Sequence, residues 1–489
     1  MKILEENKIM NIATQNLELD TREQLLSVFD AQRAAYLIDP EPDYKQRLND
    51  LKNLKKLVVD HQEAIIDAIS EDYGSRSRHQ TLFAEIIPVL DDIGSNSKHL
   101  KKWMKVKRRS VDMMMFPGAK NRLKPQPLGV VGLIIPWNFP IMLCFSQISV
   151  AFAAGNRVMA KMSENSVALS RLLMKVSGDY FPPEKLTFFE ETGGVGIEFS
   201  KIPFDMIVFT GSGQTGRAVM ASAAQNLTPV VLELGGKAPA VIDPNYPLKK
   251  AVERIMFVKQ FNSGQICTNV DYVFVHESQR EAFIEEAKAY VATSCPDIEH
   301  VDYTAIIDNR SVKRLSDTLD DAREKGATII NLCGDQQINF ETKKVPMYIV
   351  TDTTADMTLR QRETFGPILM LLTYTDSDEV IEYVNSQDRP LAFYPFSNDK
   401  KLVEKYISRI MSGGVSVNDG LLHVVQHDLP FGGVGPSGMG HYHGYEGFVA
   451  LSKMRPIFYQ ANFSALKYLA PPYGSFATKS LDFLVKMKK

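Results

Sequence analysis

Residues 229–268 carry the strongest structural and chemical signal of the chain: they begin PVVLELGGKAPAVI and end FVKQFNSGQICT. One carboxylate, Glu233, stands between an apolar β-branched run and the Gly235-Gly236 turn. One thiol, Cys267, ends a segment of small, flexible residues that lets backbone approach a ligand closely. A thiol becomes nucleophilic in an electropositive or hydrogen-bonding environment, and a nearby carboxylate can act as a base toward water. The two groups are the minimum for covalent catalysis followed by hydrolysis.

Length and composition predict an ordinary globular protein. A chain of 489 residues is too long to fold around one small hydrophobic core, so we expect roughly two or three domains. The net charge of -2 creates no field that would gather nucleic acid or an anionic membrane. The four cysteines, which lie far apart without CxxC spacing, argue against a zinc knuckle and a disulfide framework and suit a reducing compartment. They are Cys144, Cys267, Cys295 and Cys333.

Targeting and metal signals are weak. The N-terminus lacks a long apolar core with a small-residue cleavage site, and no run approaches ~20 uncharged apolar residues. A soluble, cytoplasmic protein without a membrane span is therefore expected. Histidines cluster in a glycine-rich segment at His423, His427, His441 and His443, but no further ligand stands at suitable spacing. We predict no metal site.

Hydrophobic periodicity predicts an α/β fold. Residues 20 to about 109 have apolar residues at helical spacing, and Val130–Ile135 is a fully apolar strand typical of a sheet covered on both faces. Strands and helices then alternate. Further strands are predicted at 157–161, 186–189, 206–209, 271–276, 327–333, 347–350, 367–374 and 413–419, and helices at 145–155, 217–226, 246–262, 278–294, 309–325 and 377–386.

Two segments stand outside this alternation. Met113–Phe116 and Arg122–Pro127 flank the turn Pro117–Asn121, which predicts a hairpin. Its methionines form either an exposed apolar ribbon that packs on a second subunit or a loop packed on its own domain. The tail from Ser452 is predicted to be irregular.

A glycine-rich turn follows the strand at 206–209. Residues 211–216 read GSGQTG, which satisfies G-x-G-x-x-G between a strand and a helix, the context that cradles a phosphate. In a plain Rossmann arrangement, Glu233 would be the acid that binds the ribose. That role competes with a role as a base, and the order of elements leaves both open.

Other ligand-binding candidates lie at strand ends and turns. Lys161 and Glu164 follow a strand where open α/β sheets bind ligands. Asn138, in the turn Pro136–Pro140, either caps the next helix or donates a hydrogen bond to a developing oxyanion. Glu363 could bind a sugar hydroxyl while the Phe365 ring packs against a flat cofactor. Alternatively, the two residues only form a turn that enters a strand.

Taken together, these motifs resemble the aldehyde dehydrogenase superfamily over almost the whole chain. The matching segments are 136–140, 161–164, 211–216, 233–237, 264–268 and 363–367, and Cys267 stands 34 positions after Glu233. The glycine-rich residues 429–444 and the segment 412–419 are most similar to the branch that contains fatty, aromatic and coniferyl aldehyde dehydrogenases. One departure is Met162, where many members carry proline.

The resemblance implies an aldehyde dehydrogenase fold with a Rossmann-like cofactor domain, an α/β catalytic domain and a small oligomerisation hairpin and tail. It implies a cofactor domain over 1–109 and 130–235, a catalytic domain over 236–420 and a glycine-rich return to the cofactor domain over 421–448. The hairpin at 110–129 and the tail at 449–489 are expected to hold a homodimer together.

The resemblance also implies oxidation of an aldehyde to a carboxylic acid with NAD(P)⁺ and water, with coniferyl, aromatic or aliphatic aldehydes as substrates. It makes Cys267 the nucleophile, Asn138 an oxyanion donor and Glu233 the hydrolytic base, because Lys161 and Glu164 then hold the ribose. Since Glu164 would repel a 2′-phosphate, we expect NAD preference with some NADP use. The residues expected to bind the cofactor are Trp137, Lys161, Glu164, Gly211, Ser212, Gly216, Leu234, Glu363 and Phe365.

Two alternatives are an enzyme that passes the thioester to coenzyme A and a catalytically silent scaffold on the same fold. The presence of Glu233 argues against the first. The presence of all three catalytic candidates argues against the second.

Overall fold

The computed structural model describes residues 21–462 and 464–488. Its first part is helical, as predicted, and residue 20 lies outside the described residues. Helix α2 begins with a capping box between Asp43 and Gln46, and α3 ends at Gly74, whose φ of 80° makes it the predicted C-cap. These helices are α1 over 21–38, α2 Tyr44–Asp60, α3 Gln62–Tyr73, α4 Arg78–Thr81 and, after a π-turn at Leu82–Ile86, α5 Ile87–Trp103.

The first large sheet follows these helices and has six strands. Five strands run parallel to one another, and the sixth, at one edge of the sheet, pairs antiparallel with its neighbour. In spatial order they are β15 Gly438–Met439, β7 Val230–Leu234, β6 Met206–Gly211, β3 Val130–Ile134, β4 Arg157–Lys161 and β5 Leu186–Phe189.

Helix α6 is the buried centre of this half of the molecule. Each of its fifteen residues is buried, and it packs against α2 and α5. It begins at Pro140, earlier than the predicted position 145, because the fixed φ of proline suits a first helical turn. The helices of this sheet are α6 Pro140–Ala154, α7 Val167–Val176, α8 Val195–Ser200 and α9 Gly213–Ala224.

The second large sheet has seven strands, parallel except for β10 at one edge. In spatial order they are β10 Thr328–Asn331, β11 Tyr348–Thr351, β12 Ile368–Tyr374, β9 Val270–His276, β8 Ala238–Ile242, β13 Ala392–Phe396 and β14 Gly414–Val415. Its helices are α10 Leu248–Gln260, α11 Arg280–Ser294, α12 Asn309–Glu324, α13 Thr358–Gln361, α14 Ser377–Ser386 and α15 Lys400–Arg409.

Two features of the second sheet differ from expectation. Strand β13 was not predicted, because Pro395 interrupts its β pattern, yet it lies between β8 and β14. The predicted strand 413–419 is wrong beyond β14, since Asn418 turns the chain with a φ of 61°.

The third, small sheet corrects the predicted hairpin. Its strands are β1 Lys107–Arg109, β2 Lys120–Pro127 and β16 Ser452–Tyr459. Met113–Phe116 is not the first strand of the hairpin, because the Asp112 carboxylate accepts the backbone N–H groups of Met114 and Met115 and closes a turn there.

The irregular tail is also a wrong prediction. All eight residues of β16 pair with β2. Helix α16 Gly444–Ala450 precedes β16, and α17 Ser475–Met487 follows it. Residues 452–459 form a strand because the edge of β2 offers them backbone hydrogen-bond partners, and the local sequence gives no sign of this. None of the helices in the described part of the chain has the length and apolar character needed to cross a bilayer.

The junction between the first and third sheets depends on one buried side chain. The Asn156 side chain accepts hydrogen bonds from the N–H groups of Leu128 (2.8 Å) and Gly129 (3.0 Å). Its amide donates to the Leu451 carbonyl at 2.8 Å. Asn156 therefore joins the ends of β2, α6 and α16.

We predict that Asn156→Ala lowers the free energy of unfolding by about 3 kcal/mol, because it leaves buried backbone groups unpaired. Urea denaturation followed by circular dichroism measures this loss. The control is Asn226→Ala, which removes a single exposed hydrogen bond to Lys201 and is expected to cost less than about 0.5 kcal/mol. Equal losses in the two variants would contradict the assignment.

Candidate active site

Glu233 lies near the end of β7, in the interior of the protein. It is 2% exposed, and β15 from the glycine-rich segment covers it in antiparallel register with Gly438. Neither carboxylate oxygen makes a regular hydrogen bond with a described residue. Burial raises the pKa of Glu233 well above its usual range, and the Gly433 N–H opposes this rise only weakly. The carboxyl is free to act on a small molecule.

The loop before Cys267 has an unusual backbone. Asn262 and Ser263 both have a φ of 49°, and Gly264 has a φ of 71°. A side chain at Gly264 would collide with the carbonyl of Gly366, so only glycine fits there. Three successive left-handed residues therefore reverse the chain after α10 and present Cys267 beside the loop at 363–367.

Buried amides hold this loop in place. Gln265 donates to the carbonyls of Asn262 (3.0 Å) and Ala305 (3.1 Å) and accepts from the Ile307 N–H at 2.9 Å. Asn269 donates to the Gly264 carbonyl at 2.8 Å. Sequence reasoning did not single out these amides; their position beside a cysteine in a glycine-containing loop was the available signal.

The thiol of Cys267 remains partly accessible but is well enclosed. Burial, together with the nearby carboxylates of Glu363 and Glu233, raises its pKa to about 12. The backbone N–H groups of Cys267 and Thr268 oppose this rise. The thiol and the two carboxylates are thus electrostatic neighbours, although they come from three separate segments of the chain.

Asn138 joins the same site. Its side-chain amide donates to the Gln265 carbonyl at 3.3 Å, two residues from Cys267. The capping alternative is wrong: the first amides of α6, at Ile141 and Met142, donate to Glu85 at 2.7 and 3.2 Å. The Asn138 side chain therefore does not cap α6, and Glu85 is a neighbour of the site that sequence reasoning missed.

The glycine-rich turn at 211–216 forms the start of α9. Ser212 is its N-cap and accepts from the Thr215 N–H at 3.2 Å. A Cβ at Gly216 would lie 2.7 Å from the Leu234 side chain, and one at Gly211 would lie 2.7 Å from the Phe209 ring. These glycines let α9 pack closely against the sheet. No acidic residue stands in the first turn of α9, so its positive end can hold a phosphate.

Lys161 and Glu164 lie at the end of β4, where the sequence predicted them. Lys161 is 6% exposed and pairs with Glu191 at 2.7 Å, whereas Glu164 is exposed. Glu191 also accepts the N–H groups of Gly193, Val195 and Gly196. Burial alone would raise the pKa of Glu191, but Lys161 holds it below its usual value. Glu191 was missed because it belongs to a loop without a strand or helix signal.

Glu363 and Phe365 lie opposite the end of β7. A side chain at Gly235 would collide with the Glu363 carboxyl, and burial followed by the charge of Asp271 raises the pKa of Glu363 to about 8. Phe365 has a φ of 43°, and its ring meets the Trp137 ring edge-to-face at 5.5 Å. These groups provide a carboxyl and two aromatic edges beside Cys267.

A buried charge network supports the loop at 363–367 and was not predicted. Asp271 accepts from the Thr364 N–H at 2.9 Å and pairs with Lys237. Lys259 donates to the Gly366 carbonyl at 3.3 Å, and burial lowers its pKa to about 7. Among the residues that the structure describes, no cluster of three metal-ligating side chains occurs.

The three catalytic candidates therefore converge on one site, and the cofactor candidates follow β3, lie at or just after the end of β4, at the ends of β6 and β7 and at the start of α9, or belong to the loop at 363–367. This arrangement combines a nucleophile, an unpaired carboxyl base, an amide donor and a phosphate-compatible helix end. Such a set can form and hydrolyse a covalent acyl intermediate.

Comparisons with known proteins identify the family of the chain. The chain matches the Aldehyde dehydrogenase family over residues 9–457. It is 46% identical over 463 residues to a probable coniferyl aldehyde dehydrogenase from Pseudomonas aeruginosa, covering 94% of this chain and 95% of that protein. It is 40% identical over 456 residues to the coniferyl aldehyde dehydrogenase of Pseudomonas sp. strain HR199, covering 92% and 94%. The solved substrate-bound state of Staphylococcus aureus AldH superposes with a TM-score of 0.87 at 30% identity, covering 94% and 99%. The chain therefore belongs to the aldehyde dehydrogenase family.

Proposed function

We propose that this aldehyde dehydrogenase oxidises aromatic aldehydes to carboxylic acids, with Cys267 as nucleophile, Asn138 as oxyanion donor and Glu233 as hydrolytic base. The observation that carries the assignment is the convergence on one site of the half-buried Cys267, a carboxyl without a regular hydrogen bond and the Asn138 amide, which contacts the cysteine loop at the Gln265 carbonyl.

In the acylation half of the reaction, Sγ of Cys267 passes its proton to a water molecule and, as the thiolate, bonds to the aldehyde carbon. The carbonyl electron pair moves onto oxygen. The Asn138 amide and the Cys267 backbone N–H donate to that oxyanion. Each such donor typically lowers the activation barrier by ~2.7–4 kcal/mol.

Collapse of the oxyanion expels a hydride and leaves a thioester on Cys267. A nicotinamide cofactor, when bound, supplies the acceptor for this hydride. Water then attacks the thioester carbon while Glu233 takes its proton, and the C–S bond breaks to return the electron pair to sulfur. The raised pKa of Glu233 makes it a stronger base than an ordinary carboxylate.

The residues present fit a dinucleotide. The uncompensated N-terminus of α9 suits a phosphate, with Gly211, Ser212 and Gly216 in its turn. Lys161 and Glu164 would hold one ribose, and Glu363 the other. Trp137, Phe365 and Leu234 would contact the rings. We propose NAD preference, because the Glu164 carboxylate would repel a 2′-phosphate, with some NADP use through Lys161.

A cluster of phenyl rings supports an aromatic substrate. Phe261 lies 5.7 Å from Phe257, 5.9 Å from Phe83 and 6.2 Å from Phe139. Phe83 and Phe257 are exposed, whereas Phe139 is buried next to Asn138 in the chain. The rings thus lead from the surface toward the site, and the coniferyl aldehyde dehydrogenases named above favour the same substrate class.

The quaternary structure, domain boundaries and location stay proposals. A homodimer is supported by β16, an edge strand, and by exposed apolar side chains on the loop at 110–119 and on α17. The six segments given above are proposed as the domain organisation, with the two large sheets as the cores of the cofactor domain and the catalytic domain. Cytoplasmic location is supported by four free cysteines.

We predict NADH formation with NAD⁺ and coniferaldehyde, at a higher kcat/KM than with benzaldehyde, hexanal or dodecanal. Absorbance at the NADH band measures it, and Cys267→Ala should abolish it. Cys144→Ala is the matched control, because Cys144 is a buried thiol outside the site. A ranking led by dodecanal would overturn the aromatic assignment, and turnover only with coenzyme A would overturn hydrolysis.

We predict that Glu233→Gln allows one NADH per active site and then slows steady-state turnover by about 10²-fold or more, because the thioester is no longer hydrolysed. Since the carboxylate form of Glu233 is required and its pKa is raised, wild-type kcat should rise with pH above the ordinary range of glutamate. Glu233→Gln should lose that rise. Glu198→Gln, at a buried carboxyl outside the site, should keep it.

We predict that Glu164→Gln raises kcat/KM for NADP⁺ and changes that for NAD⁺ much less, since it removes one negative charge from the proposed ribose site. Steady-state titration of each cofactor at saturating aldehyde checks this. A wild-type enzyme that strongly prefers NADP⁺ would contradict the proposed cofactor choice.

A further inference from the structure

One backbone carbonyl in the active site receives three side-chain donors. The Asn138 carbonyl accepts from the Tyr73 hydroxyl at 3.0 Å, from Arg76 Nη1 at 3.1 Å and from the Asn262 amide at 3.3 Å. The four residues are all at most 4% exposed. Most buried carbonyls have one or two partners, so this convergence fixes the orientation of one particular peptide group.

A buried ion pair holds the other side of Asn138. Arg76 pairs with Glu85 at 2.7 Å, and neither side chain has exposed surface. Glu85 in turn accepts the N–H groups of Ile141 and Met142 at the start of α6. The same pair therefore contacts the chain at Asn138 and again at the helix that follows it.

Aromatic rings enclose the guanidinium. Arg76 Cζ lies 4.9 Å from the centre of the Tyr73 ring and 5.1 Å from that of Phe139. The Tyr73 ring meets Trp137 edge-to-face at 6.0 Å. Because these rings flank Asn138 in the chain or in space, Arg76 cannot move without displacing them.

Stability alone is a poor explanation for this cluster. Removing two charges from water costs free energy that a buried ion pair often fails to recover. A neutral Ser, Thr or Asn cap would satisfy the first amides of α6 at lower cost. The pair is better explained by what it orients.

We propose that Tyr73 and Arg76 are positioning residues that hold the Asn138 backbone so that its side-chain amide faces the oxyanion formed on Cys267. This inference rests on the proposed oxyanion role of Asn138. The Asn262 amide links the Asn138 backbone to the cysteine loop. It donates to the Asn138 carbonyl and, at 3.1 Å, to the Gln265 carbonyl, which also accepts from the Asn138 side-chain amide. Rotation of this peptide would redirect the amide away from Cys267.

The first test uses Tyr73→Phe, which removes one hydroxyl and keeps the ring. The rate of NADH formation is measured in a single turnover with enzyme in excess over aldehyde. We expect it to fall about tenfold with little change in aldehyde KM, because a small misorientation weakens transition-state contacts. The matched control is Tyr374→Phe, which removes a buried hydroxyl that donates to the Ile242 carbonyl at 2.7 Å, and it should keep the wild-type rate.

A double-variant cycle separates positioning from general structural damage. Asn138→Ala alone should slow the single turnover by about 10²-fold. In that background Tyr73→Phe should have no further effect, since the amide that it positions is absent. A tenfold loss in both backgrounds would overturn the proposal, because Tyr73 would then act independently of Asn138.

Alkylation of Cys267 by iodoacetamide provides a readout without an oxyanion. Displacement of iodide forms a C–S bond and needs no amide donor, so Tyr73→Phe should leave its rate and pH dependence unchanged. A slower or shifted alkylation would show that the variant disturbs the cysteine loop itself, and it would overturn the assignment to Asn138.

Arg76→Met should act in the same direction as Tyr73→Phe. Its matched control is Arg47→Met, at a buried arginine that donates to the Pro42 and Ala153 carbonyls at the opposite end of α6. Equal losses of single-turnover rate in the two arginine variants would contradict the proposal. If Asn138→Ala itself keeps the wild-type rate, the proposed oxyanion role fails; if only the Tyr73 and Arg76 variants do, the positioning inference alone fails.

Discussion

The close approach of two backbone segments, Gly264 against the Gly366 carbonyl, is the constraint on which the active site depends. It allows three successive left-handed residues to reverse the chain after α10 and to place Cys267 beside Glu363. The buried amides of Gln265 and Asn269 satisfy the backbone groups that this reversal leaves without helix or sheet partners. Rigidity in this loop is what makes the thiol a defined reaction partner.

Burial has different consequences for the groups in the site and for the charges behind the loop at 363–367. In the site it raises the pKa values of Cys267, Glu233 and Glu363, so each group holds its proton more tightly than it would in water. Behind the loop, Lys237 and Lys259 surround Asp271 and compensate its charge. The site therefore keeps the Glu233 carboxyl without a regular hydrogen bond, whereas Asp271 behind the loop has cationic partners.

Prediction succeeded where local pattern and three-dimensional role coincide. The parallel strands, the glycine turn before α9 and the cysteine loop were all recognisable, because apolar runs and glycines reflect constraints that act within a few residues. It failed where a distant partner decides the structure. The segment from Ser452 becomes a strand only because β2 offers an edge, and Met113–Phe116 forms a turn because Asp112 bonds the amides that a strand would need. Glu85 and Glu191 carried no local signal at all.

By itself, the sequence determined the alternation of the α/β fold and the family, and it marked Cys267, Glu233 and Asn138 as candidates for the reactive groups, since apolar runs and short motifs reflect residue type and local spacing. Only the tertiary structure decided that Asn138 caps no helix, that Lys161 is paired with Glu191 and that Tyr73 and Arg76 meet the Asn138 carbonyl. These contacts join residues thirty or more positions apart or depend on the direction of one side chain in a packed interior. Folding of the whole chain determines both the long-range contacts and the side-chain directions.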